Sequence, residues 1–377
     1  MGMSIETDQD ALVSRLGIVT RGVATKGPLQ VLTGVNVIAG DEGVELQATD
    51  TQLSVRVRLP ASVARPGSAV IPGRLMLDVV KSLPAGQVQI TEEPGGNRLA
   101  IAGGSASFSL FGFAAADFPR MPSVESGEGR LIPKDLLVDM AIRVGRSASR
   151  DETRPILRGV LMSLVDETMT LVATDSYRLS VDEAGIPAGE DTDVIVPGRA
   201  LGELVRIAPL VPGGMVEARI LDTQILFRIG DRDPGPDDVW LMSRLIDGTF
   251  PSYRQLLPET YKHEVTVDRH ELLDVIRRVS LLAVRNSAVR LSFASGQLTV
   301  RAATADVGDA SDAMPVDFGG ESFEIGFNPE FLRDGLEAMD DDQVVLRLIS
   351  PLRPALITPT GAGSGMRYLI MPIRPSS

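Results

Sequence analysis

MTLVATDSYRLSV, residues 169–181, ends a short apolar run with Asp, Ser, Tyr and Arg, the residue types of a catalytic cluster. The same frame recurs upstream as VELQATDTQLSVRV, residues 44–57, and more loosely downstream as LTVRAATADVGDA, residues 298–310. Thr49 and Thr174 are 125 residues apart, and Thr174 and Thr304 are 130 apart. A second register keeps step. Ile71-Pro72-Gly73-Arg74-Leu75 is followed by Val196-Pro197-Gly198-Arg199-Ala200-Leu201, and Phe327-Asn328-Pro329-Glu330-Phe331-Leu332 fills the third slot, with 23, 23 and 25 residues from each Thr to its Pro. A third register is Asp10-Ala11-Leu12, Lys134-Asp135-Leu136-Leu137 and His270-Glu271-Leu272-Leu273, each opening an amphipathic stretch. Three coincident registers make the chain three tandem copies of one unit of about 125 residues. The copies span 1–125, 126–258 and 259–377, with Phe118-Pro119 and Phe250-Pro251 closing the first two.

Each copy reads as a helix, alternating strands, a turn, a second helix with Pro in its first turn, and further strands, an α+β architecture of antiparallel sheets. Leu75, Val79, Val80 and Leu83 form one apolar face of the second helix in the first copy. Leu137, Met140, Ala141, Val144 and Ala148 do so in the stretch 133–150, and Leu272, Val275, Ile276 and Val279 in the stretch 269–285. The 37 Gly and 25 Pro among 377 residues agree with a turn-rich fold, and a chain of that length holds two or three domains. There is no Cys, which removes disulfides and thiolate chemistry and fits a reducing cytosol. Neither a secretory leader nor an apolar run of membrane-spanning length is present, so a soluble, cytoplasmic protein is expected.

The net charge of −13 speaks, taken whole, against nucleic-acid binding. Its distribution says otherwise. Helices expected at 10–26, 71–84, 133–150, 196–209, 269–285 and 327–339 carry 16 Lys/Arg against 10 Asp/Glu, so a basic set of helices stands in an acidic body. In the third of them Arg143, Arg146 and Arg150 fall opposite the apolar face, as Arg278 and Arg285 do in the fifth. The sixth, with Glu330, Asp334 and Glu337 against Arg333, breaks the pattern.

Catalytic arrangements are scarce. His263 and His270 lie without metal-ligand spacing, Asp175-Ser176 lacks a nucleophile elbow, and no phosphate-binding Gly-Lys-Ser/Thr loop occurs. No cofactor, metal or catalytic residue is expected, and an enzyme is a distant alternative.

The three registers, together with RPILRGVLM at 154–162, ATDSYRLS at 173–180, FPSYRQLLP at 250–258 and YLIMPIRPSS at 368–377, resemble the bacterial β sliding clamp, the DNA polymerase III beta subunit, in an actinobacterial flavour. The resemblance runs nearly end to end. It implies the DNA clamp fold, with three tandem repeats and a head-to-tail homodimeric ring around double-stranded DNA, helices inside and sheets outside. It implies a processivity factor that binds the replicative polymerase, the clamp loader and other proteins through short linear peptides. Carried over residue by residue, the peptide pocket would use Leu157, Thr174, Ser176, Tyr177, Arg178, Leu179, Pro251, Gln255, Leu256, Asn328, Phe331, Leu369, Met371, Pro372, Ile373 and Arg374. Arg178, Tyr177 and Asn328 would hydrogen-bond the peptide backbone. Lys26, Arg74, Arg150 and Arg199 fall near the family's DNA-facing positions, and Arg143, Arg146 and Arg278 join them by helix face.

Departures from the family sit on or beside this pocket and the DNA entry. Ser176-Tyr177 stands where many members have Gly-His or another pair, and Pro375 follows Arg374 where Leu is common. KGPLQVLTG, near the first repeat, lacks the family's usual Pro before the apolar pair. The departures at Ser176, Tyr177 and Pro375 motivate an alternative: a paralogous second clamp that confers self-resistance to a clamp-binding natural product.

Overall fold

The computed structural model describes residues 2–25, 29–93, 98–121, 129–283, 287–304, 308–361 and 365–374. The first copy runs β1 (Ser4–Asp8), α1 (Gln9–Val19), β2 (Gly34–Gly40), β3 (Gly43–Thr49), β4 (Leu53–Leu59), β5 (Ala61–Arg65), β6 (Gly67–Pro72), α2 (Gly73–Ser82), β7 (Gln87–Glu92), β8 (Arg98–Gly103) and β9 (Ala106–Phe111). The second runs β10 (Arg130–Pro133), α3 (Lys134–Gly145), β11 (Gly159–Val165), β12 (Thr168–Thr174), β13 (Arg178–Gly185), β14 (Thr192–Pro197), α4 (Gly198–Ile207), β15 (Met215–Leu221), β16 (Gln224–Gly230) and β17 (Val239–Arg244). The third runs β18 (His263–Asp268), α5 (Arg269–Ser280), β19 (Val289–Ala294), β20 (Gln297–Thr304), β21 (Gly308–Pro315), β22 (Phe323–Phe327), α6 (Pro329–Glu337), β23 (Gln343–Leu348), β24 (Ala355–Pro359) and β25 (Arg367–Ile370). Each copy therefore has two helices and antiparallel strands in one order, with β5 an addition of the first.

All six expected helices form, and all are shorter than expected. Side chains fix the starts of α1 and α5, where Asp8 accepts from Asp10 N and Ala11 N and Asp268 accepts from Glu271 N, so these two helices are shorter at their C-terminal ends. The Pro residues behave differently from the expectation. Pro72 and Pro197 end the preceding strands and glycines open α2 and α4; only α6 carries a Pro, Pro329, inside its first turn. Its N-cap is Asn328, so Asn328 rather than Pro329 is the counterpart of Pro72 and Pro197. The shorter helices also change the charge reading. α1 to α6 hold 11 Lys/Arg and 10 Asp/Glu. Of the remaining basic residues of the expected helices, Arg21, Arg146 and Arg150 follow the first helix of a copy rather than lie in it. Lys26 and Arg285 lie outside the described residues.

The apolar faces hold with one exchange. Leu137, Met140, Ala141 and Val144 of α3 and Leu272, Val275, Ile276 and Val279 of α5 are buried. In α2 the inward residue is Met76, fully buried, while Leu75 is 49% exposed. Among the described residues no helix is long and apolar enough to cross a membrane.

The chain folds as two compact units, 1–138 with 199–245, and 139–198 with 246–377. The second copy is shared between them because each unit is built on a sheet that takes strands from two copies. In the first unit an eight-stranded sheet runs β10-β15-β16-β17-β4-β3-β2-β6, joined where β17 pairs antiparallel with β4. In the second it runs β14-β11-β12-β13-β25-β24-β23-β18, joined where β13 pairs antiparallel with β25. The first unit also holds a five-stranded sheet, β5-β1-β7-β8-β9, and the second a four-stranded one, β21-β20-β19-β22. The fourth strand of one copy thus pairs with the last strand of the next, twice over. The remaining fourth and last strands, β21 and β9, have no neighbour on one side among the described residues.

Candidate functional site

The Thr-Asp repeat is a turn-building device. Thr174 Oγ1 donates to Arg178 O at 2.7 Å and accepts from Ser176 N at 3.1 Å, while Asp175 Oδ1 accepts from Tyr177 N at 2.9 Å and Arg178 N at 3.0 Å. In the first copy Thr49 and Asp50 make the same four bonds, to Leu53 O, Thr51 N, Gln52 N and Leu53 N. An Asx-type turn needs these short acceptors at these positions, which accounts for the repeat without any catalytic role. The third residue of each turn is left-handed, Thr51 at φ 76° and Ser176 at φ 78°. A β-carbon is costly there. Ser176→Gly is accordingly expected to raise stability by about 1 kcal/mol, read as a higher urea midpoint; a lower midpoint would show that the Ser176 side chain outweighs the backbone strain.

The turn presents Tyr177 outward, 59% exposed, with its ring stacked on Phe331 at 6.4 Å between centroids. Arg178 turns inward. Its Nε donates to Asp175 at 3.1 Å, Nη1 to Asp334 at 2.5 Å and Nη2 to Arg146 O at 2.7 Å, and its guanidinium lies over the Phe331 ring at 4.3 Å. Burial works against its charge, but the Tyr368 hydroxyl, Asp334 and Asp175 outweigh that and hold its pKa above the ordinary arginine value. Arg178 is therefore committed within the protein, and its expected bond to a peptide backbone is replaced by a tie from β13 to α6. Asn328 is engaged on one side of its amide, Oδ1 accepting from Glu330 N at 2.9 Å and Phe331 N at 3.3 Å to cap α6, which leaves Nδ2 as its donor for a ligand.

Leu179 and Leu369 are cross-strand partners in the β13–β25 pair and are buried together with Val172, Val181, Tyr253 and Leu356. They are floor rather than contact surface. Thr174 is buried in its turn. Leu157 is half-buried on the turn Pro155–Arg158, and Arg154, just before that turn, donates Nη1 to Ser176 Oγ at 3.3 Å. Pro251 and Gln255 are exposed, and Leu256 is 51% exposed on the turn Arg254–Leu256. The tail follows β25: Met371 N donates to Tyr177 O and Ile373 N to Gly326 O, both at 2.8 Å. Met371 is 43% exposed, Pro372 and Ile373 are half-buried, and Arg374 is exposed. Pro375 lies outside the described residues. Five of the expected residues line surface hollows, and three separate ones: Pro251 in one, Asn328 and Phe331 in another, Ile373 and Arg374 in a third.

The acidic sixth helix finds its reason here. Asp334 binds Arg178, Glu337 binds Arg146 at 2.8 Å, and Asp340, just beyond the helix, binds Arg143 at 2.9 Å. Arg143 also reaches buried Asp182 at 2.7 Å. Asp334 and Tyr368 are thus parts of the site that the residue pattern did not nominate, although the anomalous charge of the helix was their trace. Gly335 completes the junction, because any side chain there would overlap the Tyr368 ring.

The expected DNA-facing residues divide. Arg143 and Arg146 are drawn into the ion pairs just described. Arg278 pairs with Asp312 at 2.7 Å, and Arg199 contacts Asp50. Arg74 and Arg150 are exposed and have no ionic partner among the described residues. Arg21, Arg74 and Arg199 line one hollow with Asp50 and Glu203. Lys26 lies outside the described residues.

Comparison with known proteins follows the three copies. Family models match residues 1–122, 131–252 and 254–374, described as the N-terminal, central and C-terminal domains of the DNA polymerase III beta subunit. The beta sliding clamp of Bacillus subtilis is 31% identical over 386 residues, covering 99% of this chain and all of the relative. A crystal structure of the Bacillus subtilis sliding clamp superposes with a TM-score of 0.92 over both whole chains at 30% identity. The Pseudomonas aeruginosa sliding clamp bound to griselimycin gives a TM-score of 0.87 at 28% identity, again over both whole chains.

Proposed function

The chain belongs to the DNA polymerase III beta subunit family, the bacterial beta sliding clamps, and from that premise we propose how it closes around DNA and holds its partners. It is a DNA polymerase processivity factor and a non-catalytic subunit. Its domains are taken as 1–125, 126–258 and 259–377, its place as the cytoplasm, and its type as actinobacterial.

The observation that carries the ring is the pair of leftover edges. β4 pairs with β17 and β13 with β25, so the counterpart strands β21 and β9 are the pair still to be made. Within one chain this pair is unmade; between two chains, head to tail, it closes twice. The joined sheet β22-β19-β20-β21-β9-β8-β7-β1 then has eight strands, as the other two have, with β5 appended. Exposed apolar side chains agree. Leu281, 83% exposed, stands 13 residues past the N-cap Asp268, as Arg21 stands 13 past Asp8. Arg21 pairs with Glu203 of α4, so Leu281 is expected against α2 of the partner chain, where Leu75 is exposed. The test is retention: protein placed on a circular plasmid by a clamp loader stays bound, and linearising the plasmid releases it. Equal loss from both forms would sink the ring.

Duplex DNA is held topologically, so its contacts need only attract phosphates without gripping them. Arg74, Arg150, Arg199 and Arg278 are proposed for that contact, Lys26 with them. Arg143 and Arg146, whose ion-paired side chains are less exposed than those of Arg199 and Arg278, contribute less.

For the peptide site we propose Tyr177, Leu256, Phe331 and Met371 as the contact surface, with Pro251, Gln255, Leu157, Pro372, Ile373 and Arg374 around it. The clamp loader, the replicative polymerase and other proteins would present short linear peptides to it. Thr174, Arg178, Leu179, Asn328 and Leu369 hold the site's shape from below, and Ser176 sets the turn. An exposed Met beside an aromatic pair suits adaptable recognition. Met371→Ala is expected to weaken a polymerase-derived peptide by about 1–2 kcal/mol, measured by calorimetric titration; an unchanged Kd would remove Met371 from the contact surface.

A second reading rests on the 175–178 turn alone. Ser176 and Tyr177 replace the Gly-His common in the family, and an exposed ring over Phe331 alters the mouth of the site. A second, paralogous clamp carrying this turn would confer resistance to a natural product of the griselimycin kind. Kd values for griselimycin on this protein and on another clamp from the same cell decide it: equal affinities rule out target-based resistance.

A further inference from the structure

Two arginines stand directly opposite one another on the four-stranded sheet. Arg290 of β19 and Arg301 of β20 are Cα partners in the antiparallel register, and both are exposed. Their neighbours Leu291 and Val300 are buried on the side where α5 packs, so the alternation of the strands sends the two guanidiniums to the other face. Like charges in that cross-strand position disfavour the sheet. One carboxylate stands with them: Glu324 of β22 accepts from Arg290 Nη1 at 3.0 Å and from Ser292 Oγ at 2.7 Å. Arg301 makes no direct ion pair among the described residues, although its charge also favours the ionised form of Glu324. The end of the chain closes the group, since Ile373 N is fixed to Gly326 O and Arg374, also without an ionic partner among the described residues, lines the same hollow as Arg290, Arg301 and Glu324. Three guanidiniums around one carboxylate leave a cationic groove in a chain whose net charge is −13.

We propose that this groove receives acidic residues flanking the partner peptide, so that a linear motif anchored at Met371 to Ile373 extends its Asp or Glu side chains to Arg301, Arg290 and Arg374. The inference rests on the peptide-site reading above, because Ile373 and Arg374 belong to both. A peptide fits better than duplex DNA, since the arginines lie on the sheet face turned away from α5, which carries the proposed phosphate contact Arg278.

Three synthetic peptides test it by fluorescence anisotropy on the full-length protein: an apolar core motif, and the same motif with Asp-Asp added at either end in turn. One acidic extension is expected to tighten binding roughly three- to tenfold at low salt, from two exposed ion pairs. The gain should vanish near 1 M salt, where charges are screened beyond about 3 Å. Arg301→Ala and Arg301→Glu should lose the gain while binding the core motif unchanged, and Arg301→Glu should prefer a Lys-Lys extension. Core binding with no gain from either acidic extension overturns the groove, as does a gain that survives in Arg301→Glu. Reduced retention of Arg301→Glu on a circular plasmid, with peptide affinities unchanged, assigns the groove to nucleic acid and also overturns it. Failure of the core motif itself to bind counts against the peptide site instead.

Discussion

Asp334→Ala is expected to lower stability by about 3 kcal/mol, at the lower end of the range for breaking a buried ion pair. Arg178 is 8% exposed, and the substitution leaves its guanidinium in place with only Asp175 and a carbonyl to answer it. The remaining partner is what keeps the cost from the upper end of that range. The loss is read from urea denaturation of the full chain. An apolar pair, Arg178→Met with Asp334→Leu, should recover much of it, because two well-packed side chains escape the desolvation that the ions require. An Asp334→Ala variant within ~0.5 kcal/mol of the parent would mean that Asp175 alone satisfies Arg178, and the tie from β13 to α6 would have to be given up. Peptide binding should fall as well, since the same guanidinium supports the ring of Phe331.

The second large effect concerns ring closure. Leu281→Asp is expected to convert the dimer to single chains at micromolar concentration. Covering a leucine contributes about 1.5–3 kcal/mol, and a charge in its place removes that and adds a desolvation cost. The two junctions of a head-to-tail dimer are equivalent, so a loss of about 3 kcal/mol at each weakens association by roughly 10⁴-fold. Light scattering after size-exclusion chromatography gives the mass directly. Phe111→Asp, on β9, should act in the same direction from the other side of the junction. If both variants keep the mass of two chains and their plasmid retention, the leftover edges are not where the ring closes.

Much of the architecture was legible in the residue order, and the reasons it was legible are local. Thr and Asp recur because a turn needs short acceptors at fixed places, and six amphipathic stretches recur because each copy repeats the same layer contact. What escaped depended on partners distant in the chain. The acidic sixth helix was an anomaly while its charge was counted by itself, and ceased to be one when Arg178, Arg146 and Arg143 were found against Asp334, Glu337 and Asp340. The same pairs engage Arg143 and Arg146 with carboxylates of the third copy, although Arg146 stays exposed. The inward ties of Arg178 escaped for a related reason: position in a turn says that a side chain is near the site, and only packing says which way it faces. Met76 took the inward place expected of Leu75, a shift of one residue that helical spacing alone does not resolve when both neighbours are apolar. The fold's division into two units was equally out of reach, because it follows from strand pairing between copies.

β9 and β21 differ in a way that bears on faithful assembly. β21, GDASDAMP, carries Asp309 and Asp312, whereas β9, ASFSLF, carries no charge. An unpaired sheet edge invites any neighbouring strand, and like charges on two edges discourage their meeting. Asp312 is answered by Arg278, so Asp309 is the charge left on this edge: two β21 edges would bring two such aspartates together, while β21 against β9 brings one. The acidic edge therefore discriminates between wrong and right matings while chains are still apart, and β9, the uncharged edge, is the one through which an opened ring would begin to aggregate.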